Sequence, residues 1–167
     1  MDGVLGHPMT SPEYVRQVLL PAVRRGAVSA GRPPGQVNVS TSLIVQVSPD
    51  RELARREAAL QLGFYATTRT YRPVLELHGF QDRIEPLRRA YVRRDVAMMT
   101  SIALPMVDSL AIAGSAGYCR ERVRAYDGLV DRIILGGAWV GASAERIEEN
   151  YAAIVRAFGR YSGGSSG

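Results

Sequence analysis

The sequence has 167 residues and a net charge of +5. That length suits one domain able to bury a core without cross-links, and the single cysteine, Cys119, excludes an intrachain disulfide. No apolar run approaches the roughly 20 residues that span a bilayer, and one cysteine without a signal-peptide pattern sets the expected location as the reducing cytoplasm.

Every basic residue is Arg. A basic balance suits nucleic acid. However, the pairs Arg24-Arg25, Arg55-Arg56, Arg88-Arg89 and Arg93-Arg94 are spread over several predicted helices, with Glu or Asp near most of them. That distribution describes solvated helix faces. Neither nucleic acid nor membrane is an expected partner.

In chain order, Val4-Leu5 is a short apolar run ended by Gly6-His7-Pro8, which reads as a buried strand. Ser11-Pro12-Glu13 is a helix start: an N-cap, Pro in the first turn, then a carboxylate. Val15, Val18, Leu19, Ala22 and Val23 share one face of that helix, and Pro21 should distort it. Residues 37–47, "VNVSTSLIVQV", read as a strand. Ser48-Pro49-Asp50 repeats the cap-plus-Pro device, and Leu53, Leu60 and Phe64 mark the face of the helix that follows.

Residues 66–115 show no strand pattern, only helical stretches near "RPVLELHGF", around Ile84, Leu87 and Tyr91, from Val96 to Ile102, and after Pro105. Ser115 caps a helix ending near Tyr126, "VDRIILGG" reads as a buried strand with a glycine-rich exit, and Ser143 caps a last helix bearing Ile147, Tyr151, Ile154, Val155 and Phe158. The total is three strands, each followed by a helix. The tail "SGGSSG" is linker-like.

No metal-ligand spacing, P-loop, GxSxG or GxGxxG occurs. Cys119 falls on a predicted helix and reads as a packed, inert thiol. The segment "EAALQLGFYATTRTYRPVLE" has the look of a helix-turn-helix opening, but no recognition-helix pattern follows and strands flank it. The most chemical feature is the loop "GHPMTSPEY". It joins the end of a strand to a capped helix start, where backbone N–H groups favour an anion, above all a phosphate. An ordinary capped connection with no ligand fits the same residues.

Taken in order, "DGVLGHPMTSPEYV", "LPAVRRGAVSAGR", "VNVSTSLIVQV", "SPDRELARREAALQLGFYA", "YRPVLELHGF", "MVDSLAIAG" and "VDRIILGG" resemble the luciferase-like monooxygenase superfamily, in its branch of oxidoreductases dependent on the deazaflavin coenzyme F420. The resemblance covers nearly all of residues 2–159. It implies an α/β fold, a partial (β/α)8 TIM barrel of about strands six to eight with a helical insertion before the last strand. Residues 1–159 would form this portion, 66–115 the insertion and 160–167 a flexible Gly/Ser tail.

The same resemblance implies that the first five strands lie outside this chain. Three strands of eight cannot close a barrel. The chain alone is then expected to be inactive, and to form a homo-oligomer or pair with a chain carrying the N-terminal half of the barrel. The complete enzyme would move a hydride between coenzyme F420, or alternatively FMN, and a small-molecule substrate. Carried over residue by residue, the loop that helps hold the cofactor phosphate is Gly6, His7, Pro8, Met9 and Thr10. Some relatives have a Lys in the stretch where Met9 and Thr10 stand, and Arg69 or Arg72 could supply the cation instead. Tyr65 falls where the family often has an aromatic near the cofactor; core packing would explain it equally. No general acid or base is implied.

Overall fold

The computed structural model describes residues 3–159. The expected Gly/Ser tail at 160–167 lies outside them. Among the described residues there are four strands: β1 (Gly3–Gly6), β2 (Asn38–Val47), β3 (Ile112–Gly114) and β4 (Arg132–Gly136). All pairings are parallel and all involve β2. β1 pairs with residues 38–41 of β2 and β4 with residues 40–44, so β1 and β4 flank β2 on opposite edges. β3 pairs with Val45, Gln46 and Val47, near the C-terminal end of β2.

Three expectations need correction here. The strand at Val4-Leu5 is not buried: Val4 is half-buried and Leu5 faces outward. The stretch read as strandless contains β3. Three residues between helices carry no periodicity of their own, and what makes them a strand is the register Val45↔Ile112 to Val47↔Gly114. The strand at "VDRIILGG" is only half-buried, and Ile134 is 43% exposed.

The exposure of Ile134 follows from the register. Leu43, Val45, Ile133 and Leu135 point to one face of the sheet, where Val15, Cys119, Val123, Ile154 and Ala157 of the flanking helices cover them. The other face carries Leu5, Ser40, Arg132, Ser42 and Ile134, brought into adjacent rows by the pairings Leu5↔Ser40, Ser40↔Arg132 and Ser42↔Ile134. That stretch of the face is open, with Leu5 63% exposed, whereas Ile44 and Gln46 farther along the same face are buried.

The first helix is built in three pieces: α1 (Pro12–Tyr14), a π turn (Val15–Leu19) and α2 (Leu20–Ser29). Pro21 has no N–H to give to Gln17. The expected distortion takes the form of the π turn just upstream, in which the Leu20 N–H reaches back to the Val15 carbonyl. Of the face predicted there, only Val15 is buried.

Helix α3 (Arg51–Ala66) is capped by Asp50, whose carboxylate accepts from the Leu53 N–H at 3.0 Å; Ser48 instead accepts from the Asp50 N–H at 3.1 Å. The cap is thus two residues later than Ser48-Pro49 suggests. The buried stripe of α3 is mainly small residues, Ala54, Ala58, Ala59 and Ala66, with Leu62 and Gln61, whereas Leu53 and Phe64 are half-buried. Small side chains let α3 lie close to the elements it packs on.

Those elements are α4 (Arg72–Leu77), α5 (Ile84–Val92), α6 (Val96–Ala103) and α7 (Val107–Leu110). Their apolar residues, among them Leu75, Leu87, Met99 and Val107, form a second core with α3. Helices α8 (Ala116–Val123) and α9 (Ala144–Phe158) start at Ser115 and Ser143 as expected. On α9 the buried positions are Asn150, Ile154 and Ala157, while Tyr151 and Val155 face outward.

Candidate functional site

The loop after β1 turns tightly. The N–H and hydroxyl of Thr10 both donate to the His7 carbonyl, the former at 3.0 Å. Met9 is buried and bridges to Leu43, so its side chain belongs to the core. The Thr10 carbonyl accepts from the Tyr126 hydroxyl at 2.9 Å, and burial pushes that phenol well above its ordinary pKa. Gly6 leaves little room. A Cβ there would come within 3.1 Å of Thr41 Oγ1 and 3.3 Å of Leu19 Cδ2. Ser11 then caps the helix, its Oγ accepting from the Tyr14 N–H at 3.0 Å and lying 2.8 Å from His78 Nε2.

The facing wall comes from the end of α3 and the 3-10 turn after it. Tyr65 meets the His7 ring edge-on at 5.0 Å, and Tyr71 lies 4.5 Å from it and hydrogen-bonds His7 Nε2 through its hydroxyl. Burial lowers the His7 pKa below its ordinary 6.5 and pushes that of Tyr71 up to about 12. Both are therefore neutral at neutral pH. A cavity of about 170 Å³ opens between the loop and Tyr71, lined by Gly6, His7, Met9 and Thr10 on one side and Thr70 and Tyr71 on the other.

The ring contacts continue beyond His7. Tyr65 touches Phe64 at 5.8 Å, and Phe64 touches Trp139 at 5.7 Å and Tyr91 at 5.9 Å. An aromatic ridge thus runs from the loop after β1 to the loop after β4. Trp139 is 51% exposed, yet its backbone is fixed: the Trp139 and Val140 N–H groups both donate to Gln61 Oε1, at 2.9 and 3.1 Å. Gln61 is buried, and its Nε2 has no partner among the described residues. The glycine-rich exit of β4 has a packing reason. A Cβ at Gly137 would sit 2.5 Å from Asn150 Nδ2.

The positions singled out in the sequence therefore divide. Gly6, His7, Met9, Thr10 and Tyr65 gather around one cavity and its aromatic wall, with Pro8 half-buried beside them. Arg69 and Arg72 are exposed and line a different cavity, of about 380 Å³. Tyr71 was not singled out, although it stands between those two arginines; its tie to His7 crosses 64 positions. Cys119 is packed as expected, with Sγ 3.5 Å from the Gly114 carbonyl and its pKa raised to about 11 by burial. No group of three or more His, Cys, Asp or Glu able to hold a metal occurs among the described residues. No described helix is long and apolar enough to cross a membrane.

Residues 1–132 match the sequence model of the luciferase-like monooxygenase family. The chain belongs to that family. Its similar relatives include uncharacterised proteins of Mycobacterium tuberculosis and Mycobacterium bovis, 37% identical over 141 residues, covering 80% of this chain and 41% of each of theirs. Among solved structures, the coenzyme F420-dependent tetrahydromethanopterin reductase of Methanopyrus kandleri superimposes with a TM-score of 0.69 at 20% identity, over 88% of this chain and 42% of that one. The chain thus spans about two-fifths of the length of these proteins.

The luciferase-like likeness gives the sheet its meaning. β1, β2 and β4 are adjacent parallel strands of a partial (β/α)8 barrel, and the face bearing Leu5, Ser42 and Ile134 is the one a barrel turns inward. Active sites of such barrels lie at the C-terminal ends of the strands. His7 follows that end of β1 and Trp139 that end of β4, so the aromatic ridge runs along the C-terminal ends of the strands.

Proposed function

We propose that this chain supplies one wall of the cofactor site in a luciferase-like barrel that moves a hydride between a flavin-type cofactor and a small-molecule substrate. The observation that carries this reading is the cavity at the C-terminal end of β1, lined by His7 and Tyr71, with Tyr65 packed against both rings. Coenzyme F420 is the cofactor favoured within it, with FMN as the alternative; the Methanopyrus enzyme of the same fold is F420-dependent. When bound, such a cofactor supplies the hydride-carrying ring.

The chain's own residues bind and orient. His7, Tyr65 and Tyr71 offer ring edges and faces, which suit a planar heteroaromatic group. The loop itself suits a phosphate less well. Pro12 has no N–H, the Tyr14 N–H goes to Ser11, the Thr10 donors go to the His7 carbonyl, and Glu13 adds a carboxylate to the first turn. Charge complementarity to a phosphate therefore falls to Arg69 and Arg72.

A second reading is favoured by the open sheet face. In it the chain is a non-catalytic barrel unit, acting only as an oligomer or when joined to a chain carrying the remaining strands.

The test is a fluorescence titration of F420 and of FMN against the chain, alone and mixed with the part of the mycobacterial relative that this chain does not cover. Saturable binding that weakens in Tyr71→Ala supports the cofactor reading. Binding of neither cofactor under either condition overturns it and leaves the second.

A further inference from the structure

The segment from Thr68 to Arg72 separates two cavities. Thr70 and Tyr71 face the small one, opposite His7. Thr68, Arg69 and Arg72 face the larger one, of about 380 Å³, closed on its far side by Gln81, Glu85 and Arg88. The larger cavity has an unbalanced charge: three guanidinium groups line it, and one carboxylate.

The guanidinium groups are partly fixed. Arg88 donates from Nε to the Thr67 carbonyl at 3.0 Å and from an Nη to Glu85 at 2.6 Å, and its side chain is 32% exposed. The Nε of Arg72 donates at 2.7 Å to Glu76, which does not line the cavity. Each is held along one edge and keeps further N–H groups for another acceptor. Arg69 has no carboxylate partner among the described residues, and packing gives no reason for it, since it is exposed. Planar guanidinium forks converging on one cavity match the spacing of oxygens in phosphoryl and carboxylate groups.

We infer that this cavity is an anion subsite, and that it takes the phosphoryl or carboxylate arm of a ligand whose ring lies against His7, Tyr65 and Tyr71. The link to the ring rests on the cofactor reading above. The anion site itself stands on the arginines alone.

Inorganic pyrophosphate and malonate, titrated into the full chain by calorimetry at low and high sodium chloride, test it. Saturable binding should weaken with salt, because the cations are solvent-facing. Arg69→Gln and Arg72→Gln should each weaken it about tenfold, the loss of one charge-assisted hydrogen bond. Arg24→Gln, on exposed α2, should leave it unchanged. Tighter pyrophosphate than malonate assigns a phosphoryl arm, and the reverse a carboxylate arm. Anion binding that is absent, or unchanged in the Arg69→Gln/Arg72→Gln double variant with an unaltered circular dichroism spectrum, overturns the subsite.

Titrating F420 and FMN against the same variants separates the two readings. Pyrophosphate binding without cofactor binding retains the subsite and removes the ring. Cofactor binding indifferent to both arginines does the opposite.

Discussion

Arg146 grips both carboxylate oxygens of Glu57, through Nε at 2.7 Å and an Nη at 2.9 Å. The fork ties the start of α9 to the middle of α3, across 89 positions. Gln46 of β2 joins it, donating from Nε2 to Glu57 Oε2 at 2.6 Å, while its Oε1 accepts from the Ala138 N–H at 2.9 Å. One carboxylate thus organises β2, α3, α9 and the loop that presents Trp139. Glu57→Ala should cost about 2–3 kcal/mol in urea unfolding, somewhat below the loss for a fully buried pair because water still reaches both side chains. Glu57→Gln should cost less, and a variant as stable as wild type would show the fork to be ornamental.

Asn150 completes β2 where β4 has left it. Its Oδ1 accepts from the Val47 N–H at 2.9 Å and its Nδ2 donates to the Val45 carbonyl at 3.0 Å, just beyond the last β4 pairing at Ile44↔Gly136. Asn150→Ala strands two buried backbone groups and should cost about 2–4 kcal/mol. Gly137→Ala collides with the same amide. In a double-mutant cycle the two changes should fall short of additivity by at least about 0.5 kcal/mol. Full additivity would mean that the glycine serves something other than the amide.

Stability should fall as pH drops from about 7 to 5. Burial lowers the pKa values of His7 and His78 from 6.5, so below that value the unfolded chain binds more protons than the folded one. The folded state therefore loses ground as pH falls. Asp108, lowered beside Arg55, gives its own loss only below the ordinary carboxylate value of 3.8, outside this window. The slope, read from urea midpoints at several pH values, should flatten in His7→Gln/His78→Gln. An unchanged slope would place the protons elsewhere.

The open face makes association the expected behaviour of the isolated chain. Leu5 and Ile134 stand exposed on a sheet whose outer edges, on β1 and β4, have no strand beside them among the described residues. Light scattering should show a mass that rises with concentration, and Ile134→Glu should lower it. A wild-type chain that stays monomeric throughout would count against both the homo-oligomer and the complementing partner.

Local signals were the readable ones. Ser11, Ser115 and Ser143 cap helices as their sequence context requires, because capping is settled within three residues. Ser48 and Asp50 compete over the same few positions, and the longer reach of context gave the cap to Asp50. β3 was invisible because its strand character is borrowed from β2. In the site, the loop residues Gly6, His7 and Thr10 stood out by type and position. Tyr71, Gln61 and Asn150 did not: each acts on a partner far away in sequence, and a polar residue on a helix reads as solvent-facing until its partner is known.

The hub position of β2 sets an order on folding. Its edge toward β4 is met by a segment about ninety residues later, with Val39 bonded to Asp131 across 92 positions. During synthesis that gap lasts on the order of 10 s at ordinary elongation rates. Meanwhile residues 40–44 of β2, which β4 pairs in the finished fold, have that edge unpaired. The helices α3 to α7 lie between β2 and β4 and can pack during the wait. Closure by β4 and α9 comes last, so this edge of β2 is the one that stays open longest as the chain is made.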